Sequence, residues 1–303
     1  RESVEAGAVG LSTSRFLGHK VPDGRLTPGT WADLRETDAI QRAVVEGGGL
    51  GGLFQVAPDM QSRRAVEFEM FTQAAEHGCQ VLYSGGTGAS ADGGVARTSD
   101  FLNKSNEEGR KITSICHTRP SGAMFGLVQT VPLRNTPWKE LMALPTVEDR
   151  LHALKDPATK ARLIARSKET GLTANPEQMH SMGVAVRPDY DMAQQNSLAQ
   201  IAAREGRDPI DVYVDRLIAS EGRELWNYWA FGGRLENQWA YMNMDHCIPM
   251  LADSGAHVGV FTDTDSPTFL LSELVRRQGV YTLPEAVRRI TQASAQLLGL
   301  KER

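Results

Sequence analysis

Apolar residues follow two rhythms along this chain. Five short segments are almost continuously hydrophobic and then turn polar or glycine-rich: residues 8–15 (AVGLSTSR), 50–58 (LGGLFQVAP), 79–88 (CQVLYSGGTG), 111–120 (KITSICHTRP) and 247–257 (CIPMLADSGAH). Runs this short, lacking clean alternation, predict strands of a parallel sheet covered on both faces. Between the early ones, apolar positions recur at helical spacing. Residues 59–78 put Val66, Met70 and Ala74 on one face, with Asp59 as start and Gly78 as stop, and residues 98–109 form a second helical pattern ending at Gly109. Strands alternating with helices predict an α/β fold.

From about 132 to 240 the pattern is mostly helical. Residues 156–171 and 208–222 each open on Asp-Pro, an N-cap followed by proline at the first helical position, and each closes on glycine. An aromatic-rich stretch, LWNYWAFGGRLENQWAY (225–241), follows. The region reads as a long insertion between two strands, either a lid or ordinary packing helices. Residues 282–300 predict one helix, with Thr282 and Glu285 as a capping box and Gly299 as its end. An open doubly wound sheet and a (β/α)8 barrel both satisfy this alternation. In the barrel case the five strands are roughly strands 4 to 8, within one partial barrel domain over 1–303 that the 132–240 insertion interrupts. The sequence starts in mid-helix without an initiator Met, and is expected to be the later part of a longer protein.

Composition narrows the classes. Apolar content of 41% and charged content of 23% suit an ordinary globular chain, and a net charge of −4 offers no basic surface for nucleic acid. No apolar run approaches the ~18 residues of a membrane span. Cys79, Cys116 and Cys247 make no CxxC pair and no disulfide framework, so a reducing, cytoplasmic setting is expected.

In barrels the chemistry sits where strands end at the C-terminal face. Asp253, after CIPMLA, can ligate a metal or accept a proton from bound water; it equally suits an Asx turn into Ser254-Gly255. His257 can face the same site or pack on backbone. His117 and Arg119 follow the fourth segment, and period-two spacing puts them on one side of the strand. Ser12, Ser14 and Arg15 end the first segment, with His19 in the loop behind them. Arg15 or Arg119 can grip a carboxylate with a bidentate fork. The GGGLGG at 47–52 precedes a strand, so it is not a dinucleotide fingerprint, and YSGGTGAS lacks the lysine of a P-loop.

Three stretches carry a family resemblance: VEAGAVGLSTSRFLGHKVPDGRLTPGT (4–30), RPSGAMFGL (119–127), and LADSGAHVGVFTDTDSPTFLLSELVR (251–276) together with the 282–300 helix. They resemble the amidohydrolase superfamily, in its N-acyl-D-amino-acid deacylase (D-aminoacylase) branch, amidohydrolase family 3. The resemblance implies a metal-dependent TIM-type barrel, commonly with zinc, and a small β-sandwich built from both ends of the full chain. It implies hydrolysis of a linear amide by metal-bound hydroxide, an N-acyl amino acid being the small-molecule substrate, with no nucleic-acid or membrane partner; a homo-oligomer is compatible with it. Asp253, in ADSGAH where the family spells S-D-G-G-A-H, takes the place of metal ligand and catalytic proton shuttle. His117, Arg119, His257, Arg15, His19 and Gln55 become substrate contacts. The family's H-x-H motif, and with it most zinc ligands, falls before Arg1. Where many relatives carry histidines at the fifth and sixth strand ends, this chain has Gln55 and Ser84, which implies a one-metal site. Two other readings stay open: a non-catalytic remnant or binding module that keeps the fold, and a phosphate- or nucleotide-binding α/β protein using SGGTG.

Overall fold

Among the described residues eight strands form, in chain order β1 (Gly10–Ser14), β2 (Leu53–Ala57), β3 (Gln80–Ser84), β4 (Ile112–Ile115), β5 (Met124–Phe125), β6 (Met179–Ser181), β7 (Trp226–Tyr228) and β8 (Cys247–Ile248). The structure, a computed structural model, describes residues 1–303 except 22, 49–51, 61, 89–91, 120–121, 185–195, 230–234, 250–264 and 301–303. Two compact units emerge, a sheet unit made of residues 1–119, 234–252 and 265–303 and a helical unit across 120–233.

In the sheet unit, β1, β2, β3, β4 and β8 pair in that order, every neighbour parallel. A doubly wound sheet needs its strand order to reverse at a switch point. Here the order never reverses, which is how an arc of a barrel is wound. The sheet remains an open one; no closed barrel forms among the described residues.

Register sorts the strand residues into two unequal faces. Val56, Tyr83 and Ser114 lie in one row, Phe54, Val81 and Ile112 in the next, and all six are fully buried. They meet helices Arg64–Glu76 and Val95–Glu107, which contribute the fully buried Met70, Phe71, Ala74 and Leu102, and Phe71 stacks on Tyr83 at 4.7 Å. Each of the Val, Ile, Leu, Met and Phe side chains here contributes about 1.5–3 kcal/mol on leaving water, so this face carries the unit's core. The other face runs Ser12, Gln55, Leu82, Thr113 across the strands, with Ser14 and Ser84 further along. Leu82 and Thr113 are buried there, whereas Ser12, Gln55 and Ser84 are not. The expected burial on both faces therefore holds fully for one face, while the second is mixed, with polar residues left accessible at Ser12, Gln55 and Ser84. Gly10 is required at the β1 edge, because a Cβ there would lie 2.0 Å from the Leu53 carbonyl oxygen.

Local signals place most of the helices. Helix Pro157–Thr170 starts on Asp156, whose carboxylate accepts the Thr159 N–H at 2.8 Å, and helix Pro209–Ala219 starts on Asp208, which accepts from Ile210 N–H at 2.8 Å. Two expected boundaries moved. The helix foreseen from Asp59 begins at Arg64, since the Asp59 side chain is engaged by Ser62 and Arg63. The C-terminal helix breaks at Thr291 into Leu283–Ile290 and Gln292–Leu297. Thr291 Oγ1 donates to the Val287 carbonyl at 2.6 Å, a back-bond of the kind that bends helices.

The helical unit gathers Trp138, Leu163, Tyr213, Leu217 and Trp226 into a fully buried core. Trp138 Nε1 donates to Ser167 Oγ at 2.8 Å, which satisfies its polar edge. A small antiparallel sheet, order β5-β7-β6, lies in the same unit. Its strands of two or three residues are too short to give an alternation in the sequence. Among the described residues no helix is long and apolar enough to cross a membrane.

Candidate functional site

Of the polar residues collected from the sequence, Arg15 directly follows β1 with His19 in the loop behind it, His117 and Arg119 follow β4, and Gln55 lies in the middle of β2. Arg15, just past β1, points into the core. Its Nε donates to both Glu67 carboxylate oxygens at 2.9 and 3.1 Å, and Nη1 donates to the Ala32 carbonyl at 2.7 Å. Both partners are sealed, at 2% and 0% exposure. Arg63 backs the pair, 4.0 Å from Glu67 and 3.5 Å from Asp59, with Nη2 donating to the Thr30 carbonyl at 2.7 Å. The carboxylate that the Arg15 fork grips is thus the protein's own.

On the mixed face, Ser12 Oγ donates to Gln55 Oε1, the two residues being register partners on β1 and β2. Ser14, the last residue of β1, has its Oγ 2.6 Å from His19 Nδ1. The two pairs lie on the same face of the sheet, Ser12 and Gln55 in mid-strand and Ser14 at the exit of β1.

At the exit of β4, three consecutive residues are each tied down. The Gln238 side-chain amide donates to the His117 carbonyl at 2.5 Å. Thr118 Oγ1 lies 3.0 Å from both the carbonyl oxygen and Oγ of Ser266. Arg119 Nε and Nη2 donate to Asp265 Oδ1 at 3.2 and 3.1 Å, and its guanidinium sits 5.9 Å from the Phe269 ring centre. Strand β4 stops at Ile115, so the period-two argument for His117 and Arg119 does not reach them; hydrogen bonds from other elements set their positions. Arg119 is buried and His117 half-buried. One residue further back, Cys116 N–H donates to the Ile248 carbonyl at 3.0 Å. Asp253 and His257 lie outside the described residues.

Beneath these exits is a hydroxyl and thiol layer whose members are scattered along the sequence. Ser114 Oγ and Tyr241 OH are 2.9 Å apart, and the Cys116 and Cys247 sulfurs 3.5 Å apart. Burial pushes the Tyr241 phenol and the Cys116 thiol well above their ordinary ranges, so both stay protonated. Gly85 in the SGGTG stretch packs on this layer: a Cβ there would lie 2.2 Å from Ser114 Oγ and from Tyr241 OH. Close backbone packing accounts for that glycine without a phosphate.

Gln238, Asp265, Ser266 and Glu67 escaped the sequence reading. Glu67 alone left a trace, as a carboxylate on the apolar face of the 64–76 helix with Met70 and Ala74. The described residues do not fit a zinc centre by themselves: among them no three His, Cys, Asp or Glu side chains gather closely enough to hold a metal ion, and β2 and β3 carry Gln55 and Ser84.

No family model and no curated protein matches this sequence. A solved structure is similar in fold: N-acyl-D-glutamate deacylase from Bordetella bronchiseptica, complexed with zinc and a phosphonate inhibitor that mimics the tetrahedral intermediate of its reaction. The two agree with a TM-score of 0.53 at 18% sequence identity, over 100% of this chain and 52% of that one. This chain thus spans about half the length of the similar protein.

Proposed function

We propose that this chain is part of a hydrolase of the amidohydrolase kind that cleaves a linear amide bond, with N-acyl amino acids, the D-series first, as its substrate class. The observation that carries this is the likeness in fold to a deacylase over the whole chain, with His19, His117 and Arg119 beyond the C-terminal ends of β1 and β4. Amide hydrolysis needs a group that takes a proton from the attacking water and returns it to the departing amine. Asp253 is assigned that part, on the strength of its ADSGAH setting after β8. His117, Arg119, His19, Gln55 and His257 are assigned to substrate contact, whereas Arg15 supports the site through its buried pair with Glu67. Zinc is the cofactor assigned by the same likeness, with Asp253 as a ligand; no step is routed through it, because the described residues do not complete its coordination.

The test is release of free amine from N-acetyl-D- and N-acetyl-L-amino acids by the purified protein, with its zinc content measured alongside. Turnover of the D-series by zinc-loaded protein is expected. Zinc-replete protein that releases no amine from either series overturns the proposal. A second reading, a binding module that keeps the fold without catalysis, is favoured by the lack of a metal-binding group among the described residues. It predicts saturable binding of N-acyl amino acids without hydrolysis.

A further inference from the structure

Ser14 and His19 form a pair whose nucleophilic chemistry is left unused by the amide-cleaving assignment, which gives His19 a substrate contact only. Ser14 closes β1 at the C-terminal edge of the sheet, and its Oγ lies 2.6 Å from His19 Nδ1. The same Oγ accepts the Phe16 backbone N–H at 3.3 Å. With Nδ1 accepting, the hydroxyl donates to the imidazole while a backbone N–H donates to the hydroxyl oxygen. That is the wiring of an activated nucleophile: the imidazole takes the proton as the oxygen attacks, and the N–H favours the negative oxygen that forms.

The backbone that carries the imidazole is also held in place. The His19 backbone N–H donates to the Phe16 carbonyl at 3.1 Å, and the Thr27 backbone N–H donates to the His19 carbonyl at 3.4 Å. The Phe16 ring meets the His19 ring edge-on at 5.2 Å, and a bridge between Lys20 and Leu26 closes the loop behind it. Ser14 and His19 are each part-exposed, so solvent and a small electrophile reach them, unlike the sealed Arg15 between them.

We infer that Ser14 is a nucleophilic serine with His19 as its general base, a covalent site for activated acyl esters and organophosphorus electrophiles. With a fluorophosphonate, Ser14 Oγ attacks phosphorus, the P–O bond forms and the P–F bond breaks. The hydroxyl proton passes to His19 Nδ1 and fluoride departs. With an acyl ester, Oγ attacks the carbonyl carbon and the ester C–O bond breaks. His19 hands the proton to the leaving alkoxide, and the acyl group stays on Ser14 until water removes it. Neither step uses a metal or Asp253, so this site stands or falls apart from the amide-cleaving assignment.

The purified protein is treated with a small fluorophosphonate and mapped by peptide mass. One phosphonyl group per chain on the Ser14 peptide is expected, absent in Ser14→Ala and formed about tenfold more slowly, or worse, in His19→Gln. A readout that does not rest on phosphonylation is Ser14→Cys, whose thiol should be alkylated by iodoacetamide at pH 6 about tenfold faster than in Ser14→Cys/His19→Gln. Labelling confined to other residues, a labelling rate indifferent to His19→Gln, or equal alkylation of the two cysteine variants each overturns the assignment.

Discussion

The helices of the helical unit and the two helices over the sealed face of the sheet begin differently. In the helical unit, five helices start on Asn135, Thr146, Asp156, Ser197 and Asp208, and each of these side chains accepts a backbone N–H from the first turn. The two helices that cover the sealed face of the sheet start on Arg63 and Gly94, neither of which caps with its own side chain. Their positions come instead from contacts distant in sequence, such as Phe71 on Tyr83 and Glu67 under Arg15. The helices of the helical unit are specified by neighbours along the chain, the two covering helices of the sheet by partners across it. Local specification gives many small stabilising terms; distant pairing concentrates stability in a few buried contacts.

The sharpest way to break this contrast is Glu67→Ala. It strands the Arg15 guanidinium without its carboxylate in a sealed site, and about 3–5 kcal/mol of stability should be lost in denaturant unfolding. Arg15→Met with Glu67→Leu replaces both charges by apolar groups and should recover most of that loss. A small effect of Glu67→Ala would show that the sheet unit does not depend on the pair. In the helical unit, Thr146→Ala removes an oxygen that accepts the Asp149 N–H at 3.0 Å. It should cost about 1 kcal/mol, measured in the same way, because one cap among five is lost. A cost as large as that of Glu67→Ala would erase the distinction between the two sets of helices.

The gentlest probe is acid. The Asp156 carboxylate is held below its ordinary 3.8, first by the backbone N–H of Thr159 and then by that residue's side chain. A depressed carboxylate contributes stability that is fully present above its unfolded value and is lost as pH falls through the folded one. Protection of the first-turn amides of helix Pro157–Thr170, taken as their exchange relative to an unstructured peptide at the same pH, should therefore be full at pH 5 and fall below about pH 3.8. Protection that is flat across that range would mean the cap contributes nothing.

What the sequence revealed divides between local and distant contacts in the same way. Asp156, Asp208 and Thr282 announce their helices because a cap, a proline and a closing glycine all lie within one element. Strand segments were legible because a buried parallel strand is a short hydrophobic run, and each of the five contains one observed strand. The monotonic strand order, the mixed second face and the Arg15–Glu67 pair were not legible. Each depends on residues far apart, 52 positions in the case of Arg15 and Glu67. The same holds at the strand ends. His117 and Arg119 drew notice as residue types, but Gln238 and Asp265, which hold them, lie 121 and 146 positions away. A carboxamide and a carboxylate in unrelated segments carry no local mark of the residue they will position.

The central claim is that the strand exits serve amide hydrolysis with Asp253 as the proton-handling carboxylate. Its most direct test is amine release from N-acetyl-D-amino acids by the zinc-loaded protein and by Asp253→Asn, with circular dichroism confirming that both are folded. The account predicts turnover by the parent and at least a hundredfold loss, about 10² or more, in the variant. Near-equal turnover by the two proteins would contradict it.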